Sequence, residues 1–312
     1  MQSGERYYSI SNYLKEHFGR KVVKLSIDAG FTCPNRDGSI GTGGCAFCSG
    51  GGSGELSSSI SEQIELLKDK WPDAAYLAYF QSFTNTYAPV YVLREKYYEV
   101  IDDPRISGLV IATRPDCLGD DVIELLSEIN DNHFMWVELG LQSIHDRTTE
   151  YLGIGYGLEV YDDAIRRLNE RGIRVVTHLI LGLPGESRED MFASVRHVCE
   201  QNTWGIKLHL LNIVKTARLY SMCPGYIPFS GIDEYTDLVV DLLEIIPADI
   251  TIHRLTGDVP RKLLVSPEWS YRKRTILNEI NRKLKDRDTF QGAKLPSSGA
   301  YSSYVSSAGQ RR

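Results

Sequence analysis

Apolar and polar positions along this chain follow two periods in turn. The run KVVKLSID, residues 21–28, is β-branched and alternates with a period of two, which predicts a strand. Five more strand-sized runs follow, at 75–81 (AYLAYFQ), 107–114 (SGLVIATR), 134–143 (FMWVELGLQS), 173–183 (IRVVTHLILGL) and 205–214 (GIKLHLLNIV). Between them apolar residues recur at helical spacing, as in 120–130, 159–172 and 188–201. An amphipathic segment around Tyr13 to Phe18 precedes the first strand, and Ser61 is expected to cap a helix that turns Ile64 and Leu67 inward. Strands alternating with helices predict a parallel α/β sheet, either a barrel or a doubly wound sheet. Beyond Ala217 the pattern changes: 231–246 reads as a helix, 249–255 as a short strand and 270–288 as a basic helix. The expected organisation is a barrel over 1–217, an extension over 218–295 that closes it and offers a substrate-binding segment, and a serine-rich disordered tail over 296–312.

A length of 312 residues suits one main domain. The apolar runs are far short of the roughly 18 residues that span a bilayer, so no membrane association is expected. The first residues lack a basic start followed by an apolar stretch, which makes a secretory signal unexpected and a cytoplasmic location the expectation. In a reducing compartment cysteines more often bind metals or do chemistry than pair as disulfides. The net charge of −6 argues against a uniformly basic nucleic-acid binder, yet residues 261–287 carry nine Lys or Arg against three Asp or Glu. That contrast suits a polyanion, and equally the solvated face of a helix.

Three of the six cysteines, Cys33, Cys45 and Cys48, fall in the loop after the first strand, TCPNRDGSIGTGGCAFC. Three thiols are one short of a closed four-ligand site. Either a [4Fe–4S] cluster leaves one iron open to an outside ligand, or a zinc site is completed by a distant residue such as His17 or Cys117. In β/α barrels chemistry gathers in the loops at the carboxyl ends of the strands. Gln81 to Asn85, Arg114 to Cys117, GLQS (140–143) and GLPGE (182–186) all fall there with the cysteines.

The blocks KLSIDAGFTCPNRDGSIGTGGCAFC, AYFQSFTNTYAPV, ATRPDCL, VELGLQSIHD, THLILGLPGE and HRLTGDVPRKLLVSP occur in that order between residues 6 and about 291. Together they resemble the radical SAM superfamily, and within it the YhcC/YtqA (MnmL-like) branch, related to the radical SAM domain of the elongator catalytic subunit. The eleven residues between Cys33 and Cys45 exceed the superfamily's commonest three, but a long first interval is usual in this branch. The resemblance implies a partial (β/α)6 TIM-like barrel with a C-terminal helical, basic extension. It implies a [4Fe–4S] cluster on Cys33, Cys45 and Cys48, with Phe47 as the aromatic before the last ligand, and S-adenosylmethionine (SAM) on the open iron, cleaved to a 5′-deoxyadenosyl radical. Glu138, Gln142 and Ser143 would contact the ribose and methionine part of SAM, Gly182 and Glu186 would lie along the adenine, and Gln81 would join the cofactor site. Relatives carry an arginine for the SAM carboxylate where this chain has Ile154, so Arg114 or Lys215 is the expected substitute. The substrate implied is a wobble uridine of transfer RNA, trimmed from carboxymethylaminomethyl to aminomethyl. An electron donor such as flavodoxin or ferredoxin is implied as a partner. Lys215 and Arg254 are candidates to meet the departing carboxylate, and Cys117 is either a hydrogen-donor thiol or a packed small side chain. His253, Asp258, Arg261, Arg272, Lys273 and Arg274 are candidates for substrate or RNA contact. The competing readings are a radical SAM enzyme acting on a small metabolite, and a metal-containing binding module without catalysis.

Overall fold

The computed structural model describes residues 5–49 and 58–296. Most of the glycine and serine stretch after Cys48, and all but the first residue of the expected disordered tail, lie outside the described residues. In chain order the elements are α1 (Ile10–Phe18), β1 (Val22–Ile27), α2 (Ile60–Lys68), β2 (Ala75–Phe80), α3 (Val90–Ile101), β3 (Ile106–Thr113), α4 (Asp120–Asn132) and β4 (Met135–Gln142). There follow α5 (Asp146–Leu152), α6 (Leu158–Glu170), β5 (Val175–Leu181), α7 (Arg188–Glu200) and β6 (Gly205–Leu210). The last part comprises β7 (Ile213–Val214), α8 (Leu219–Met222), α9 (Ile232–Leu243), β8 (Thr251–Arg254), β9 (Leu264–Ser266) and α10 (Lys273–Asp286).

Seven strands form one parallel sheet in the order β1-β2-β3-β4-β5-β6-β8, an open, curled half-barrel with helices on its outer side. Six of these strands match the periodic runs of the sequence. The seventh, β8, comes from beyond residue 217 and pairs with β6. Two local features differ from the sequence pattern. Ser59, not Ser61, caps α2, because Ser59 and Glu62 exchange side-chain and backbone hydrogen bonds as a capping box. Helix α3 adds to the periodic segments, its buried Leu93, Tyr97, Val100 and Ile101 standing at helical spacing.

Strand residues alternate between two environments. Leu25, Phe80, Ile111, Val137, Leu139, Leu179 and Leu208 pack outward against the helices in the main core. On the concave side, Leu77, Val110, Trp136 and Val176 make a separate apolar floor with Leu14 of α1. Helix α1 plugs this end: Ser9 bridges Ile252, and the Ile252 amide donates to the Tyr8 carbonyl at 2.8 Å. The closed base leaves the carboxyl ends of the strands as the mouth. No helix among the described residues is long and apolar enough to cross a membrane.

Candidate active site

The cysteine loop is pinned by its apolar residues. Ala46, fully buried, donates its amide to the Leu152 carbonyl at 2.8 Å and accepts from the Leu219 amide at 2.8 Å. Ala46 and Phe47 pack with Leu152, Ile154, Ile180, Leu183 and Leu211. Ile154 is therefore a buried member of the apolar cluster under the loop, 1% exposed, which is why no cation stands there. The thiols are all free, Cys33 buried and Cys45 and Cys48 half-buried. Donors aim at their sulfurs: Arg36 Nη2 at 3.1 Å from Cys48, Asn35 Nδ2 at 3.4 Å and Arg114 Nη1 at 4.0 Å from Cys45. Burial pushes the Cys45 thiol up, while Asn35 and Arg114 pull it toward the thiolate. N–H donors and guanidinium charge at sulfur are what a thiolate-bound iron–sulfur cluster uses for tuning, so this donor set fits one. Among the described residues no three His, Cys, Asp or Glu side chains close on one point as a single zinc ion needs. A [4Fe–4S] cluster would instead be held by the three thiolates without their closing on one point. His17 is not near the loop; it stacks against Tyr13 and Phe134 at the closed base.

Strand β4 ends in an irregularity that aims its last side chain. The pairing with β5 shifts register between Gly140 and Gln142, and Gln142 takes a left-handed φ of 71°, uncommon for a residue with a side chain. A Cβ on Gly140 would lie 2.8 Å from Gln142 Nε2, so glycine there is what admits the turned-back amide. Next to it Ser143 Oγ donates to Glu186 and accepts the His145 amide at 3.1 Å. Burial raises the Glu186 carboxyl, an effect the Ser143 hydrogen bond opposes. At Gly182, with φ 85°, a Cβ would lie 2.6 Å from the Phe229 ring. Gln81 donates to Ser26 Oγ at 2.6 Å. Gln81, Gln142, Ser143, Gly182, Glu186 and the cysteine loop thus meet at one end of the sheet. Arg114 is engaged already, donating to Asp116 at 2.9 and 2.7 Å and lying 4.7 Å over the Tyr156 ring.

Glu138 does not stand with Gln142. It lies four residues earlier on β4, roughly 13 Å down the strand at ordinary rise, in a polar layer above the apolar floor. Its carboxylate is fully buried and accepts from Tyr79 OH at 2.6 Å, His178 Nε2 at 3.0 Å, Trp136 Nε1 at 3.2 Å and Lys207 Nζ. Lys24 Nζ is 3.6 Å away. Burial works to raise this carboxyl, but Lys207 and Lys24 outweigh it and hold the group well below the usual carboxylate range. Lys207 is pushed down to about 7, by burial first and then by Lys24 and Arg254, against the pull of Glu138. His178 is pushed down to about 4 by burial and Lys207. Lys207 belongs to no motif of the sequence and is not among the candidates named from it. Its one signal is inward parity in GIKLHL, where Lys207 and His209 share the face opposite Ile206 and Leu208.

The remaining candidates scatter. His253 is a base residue, held between the Trp136 and Trp204 rings at 5.6 and 5.1 Å and bonded to Thr251 Oγ1 at 2.9 Å, so it does not reach the mouth. Lys215 follows β7 rather than ending β6, and is exposed. Arg254 points into the polar layer, 3.7 Å from Asp258. Cys117 is half-buried in a cleft of about 660 Å³ shared with Pro34, Tyr87 and Asp116, its thiol pushed up to about 12 by burial and then by Asp116. The basic helix is largely neutralised within the chain. Lys283 pairs with Asp233 and Asp237, Arg287 with Asp237 and Asp241, Arg282 with Glu279 and Asp286, and Lys273 with Asp258. Arg261 and Arg272 flank the exposed Tyr271 ring at 4.4 and 5.7 Å, beside exposed Arg274.

A half-barrel with three loop thiols at its mouth defines the radical SAM class, and the comparisons agree. Residues 37–198 match the radical SAM superfamily and 203–286 the radical SAM C-terminal domain. The chain belongs to the radical SAM superfamily, whose members use a [4Fe–4S] cluster and SAM. It is 43% identical to YtqA of Bacillus subtilis over 92% of each chain, and 36% identical to YhcC of Escherichia coli over 90% of this chain and 93% of that one. The tRNA uridine(34) acetyltransferase of Dehalococcoides mccartyi is 30% identical over 50% of this chain and 34% of its own length. Among solved structures, Elp3 of Methanocaldococcus infernus superposes with a TM-score of 0.65 at 16% identity, over 86% of this chain and 63% of that one, which is a likeness of fold.

Proposed function

We propose that this chain is a radical SAM enzyme that takes hydrogen from a modified wobble uridine of transfer RNA, converting its carboxymethylaminomethyl group to aminomethyl. Cys33, Cys45 and Cys48 would hold the cluster, and Gln142, Ser143 and Glu186 would receive SAM beside it. When bound, this pair would supply a carbon radical able to take hydrogen from the carbon between the amine and the carboxylate, a flavodoxin or ferredoxin giving the one electron that cleaves SAM. The substrate radical would return one electron to the oxidised cluster to become an imine, and water would hydrolyse that imine to the aminomethyl group and a two-carbon oxo acid. The protein's own work is positional. Arg36, Asn35 and Arg114 direct their N–H groups at the sulfurs. Gly140 lets Gln142 turn back over the strand end, and the plug of α1 with Trp136 and Trp204 closes the base to water. The observation that carries the RNA reading is the likeness to tRNA uridine(34) acetyltransferase over half of this chain, together with the exposed cations around Tyr271. Stacking platforms of this kind, an aromatic ring among arginines, suit nucleic acid.

The test compares the nucleosides of bulk transfer RNA from cells with and without the protein, then follows 5′-deoxyadenosine and aminomethyluridine formation by reconstituted enzyme. Accumulated carboxymethylaminomethyluridine in the deficient cells supports the reading, and an unchanged nucleoside profile sinks it. One observation favours the small-metabolite alternative: four cations of the 261–287 segment are tied to carboxylates of this chain, which leaves a narrower footprint for RNA than the sequence count suggests.

A further inference from the structure

The polar layer under the mouth holds more positive than negative charge. Lys24 from β1, Lys207 from β6 and Arg254 from β8 surround a single buried carboxylate, Glu138. Asp258 stands 3.7 Å from Arg254 at the rim, but it is also the partner of Lys273. The nearby His178 and His209, with ring centroids 5.0 Å apart, are both pushed toward the neutral form by burial and by the cations, so they add no further positive charge. Buried charges are ordinarily paired, and although Lys207, pushed down to about 7, sheds part of the excess, Lys24 and Arg254 still outnumber the one buried carboxylate. The layer also reaches solvent through the two strands at the edges of the half-barrel, β1 and β8. Lys24 keeps 30% and Arg254 32% of its side chain exposed, whereas Lys207 keeps 2%. A second sign of incompleteness is His209 Nε2, buried and without a hydrogen-bond partner among the described residues.

We infer that this layer is a carboxylate-binding well: Lys24 and Arg254, backed by the Lys207–Glu138 pair, receive the carboxylate of the substrate's substituent when it descends from the mouth. The inference rests on the carboxylate-bearing substrate proposed above, and it adds which groups select it. The floor decides the size of the ligand. Trp136 closes the layer from below, and the Lys24 ammonium stands 4.5 Å from the ring centroid of Tyr79, which lies two residues nearer the mouth than Leu77, the register partner of Lys24. A nucleic-acid backbone therefore stays at the mouth while a short substituent reaches down. A carboxylate fits the donors on offer, since Arg254 presents a planar fork and Lys24 a point charge. The role of Lys207 is separate: it engages one oxygen of Glu138, while Lys24 stands 3.6 Å from the other and is shared between that carboxylate and the incoming one.

The experiment uses the cluster- and SAM-loaded protein and three nucleosides: 5-carboxymethylaminomethyluridine, its carboxamide, and 5-aminomethyluridine, titrated by calorimetry. The wild type is expected to favour the acid over the amide by about tenfold or more, the range of hydrogen bonds to a charged group. Lys24→Met and Arg254→Gln, both at partly exposed side chains, should each cut that preference to about threefold or less, because affinity for the acid falls by more than affinity for the amide. Circular dichroism and iron content check that both variants remain folded and loaded. Equal affinity of the wild type for acid and amide, no binding of either, or a preference surviving in both variants overturns the well. The two readings separate cleanly. Enzyme that converts transfer RNA without preferring acid over amide keeps the function and loses the well. Enzyme that prefers the acid but leaves transfer RNA untouched keeps the well and loses the RNA substrate.

Discussion

Lys207 on β6 and Glu138 on β4 form an ion pair at the centre of the half-barrel, with 2% and 0% of their side chains exposed. Glu138→Ala should destabilise the chain by about 3 to 5 kcal/mol, because it leaves the buried Lys207 without its partner carboxylate. Replacing both, Glu138→Leu with Lys207→Met, should cost less than the single change. Urea midpoints at neutral pH measure the difference, and a double variant less stable than Glu138→Ala would refute the argument.

The same layer makes the fold acid-labile. His178 is held near 4 against 6.5 when unfolded, and Glu138 is also lowered well below its ordinary value of 4.5. In both cases the unfolded chain binds more protons over the interval, so stability rises with pH there and is lost as pH falls. For His178 that window runs from 6.5 down to about 4, and for Glu138 it continues below 4.5. Denaturation curves at about pH 7, 5.5 and 4.5 should show a steady fall. His178→Gln should flatten it between 6.5 and about 4.

Changing Cys33, Cys45 or Cys48 to Ala should each abolish the cluster, leaving well under the roughly four irons per chain of a loaded site. Cys223→Ala, at the end of α8, should retain iron. Iron and sulfide assays after anaerobic reconstitution decide, and stoichiometric zinc in place of iron would defeat the assignment.

Gln142 separates backbone strain from cofactor binding. Gln142→Gly should change stability by less than about 1 kcal/mol, since relief of the left-handed φ offsets the greater freedom of glycine in the unfolded chain. SAM affinity should nevertheless fall. Gln142→Val keeps the strain and should be the less stable of the two, and unchanged SAM affinity in both would remove Gln142 from the cofactor site.

If transfer RNA is the substrate, the cations that no carboxylate of the described residues engages should govern binding. Charge reversal at Arg261, Arg272 and Arg274 should weaken RNA binding and lower the salt slope by about 0.7 to 0.9 for each phosphate no longer neutralised. Reversal at Lys283 or Arg287 should instead reduce stability, because each holds carboxylates of α9. Equal effects from both sets on RNA affinity would contradict this division.

The sequence by itself determined the strand and helix order, because period-two and helical spacing report local burial, and a parallel sheet buries its strands on both sides. It also determined which residues share the mouth: Cys33, Cys45 and Cys48 in one loop, with Gln142, Ser143 and Glu186 at strand ends, are legible as neighbours because barrel topology brings every strand's carboxyl end to one face. Tertiary structure alone decided which charges are free. Residues 283 and 287 are neutralised by α9, some fifty positions earlier, and no local pattern announces such pairs. It alone decided that Glu138 belongs with Lys24, Lys207 and Arg254 rather than with Gln142. Depth along a strand is a matter of register, and register is fixed only when neighbouring strands pair. The inward alternation of Lys207 and His209 is visible in the chain. What those residues face becomes definite only once the sheet curls and places β1, β4, β6 and β8 around one interior.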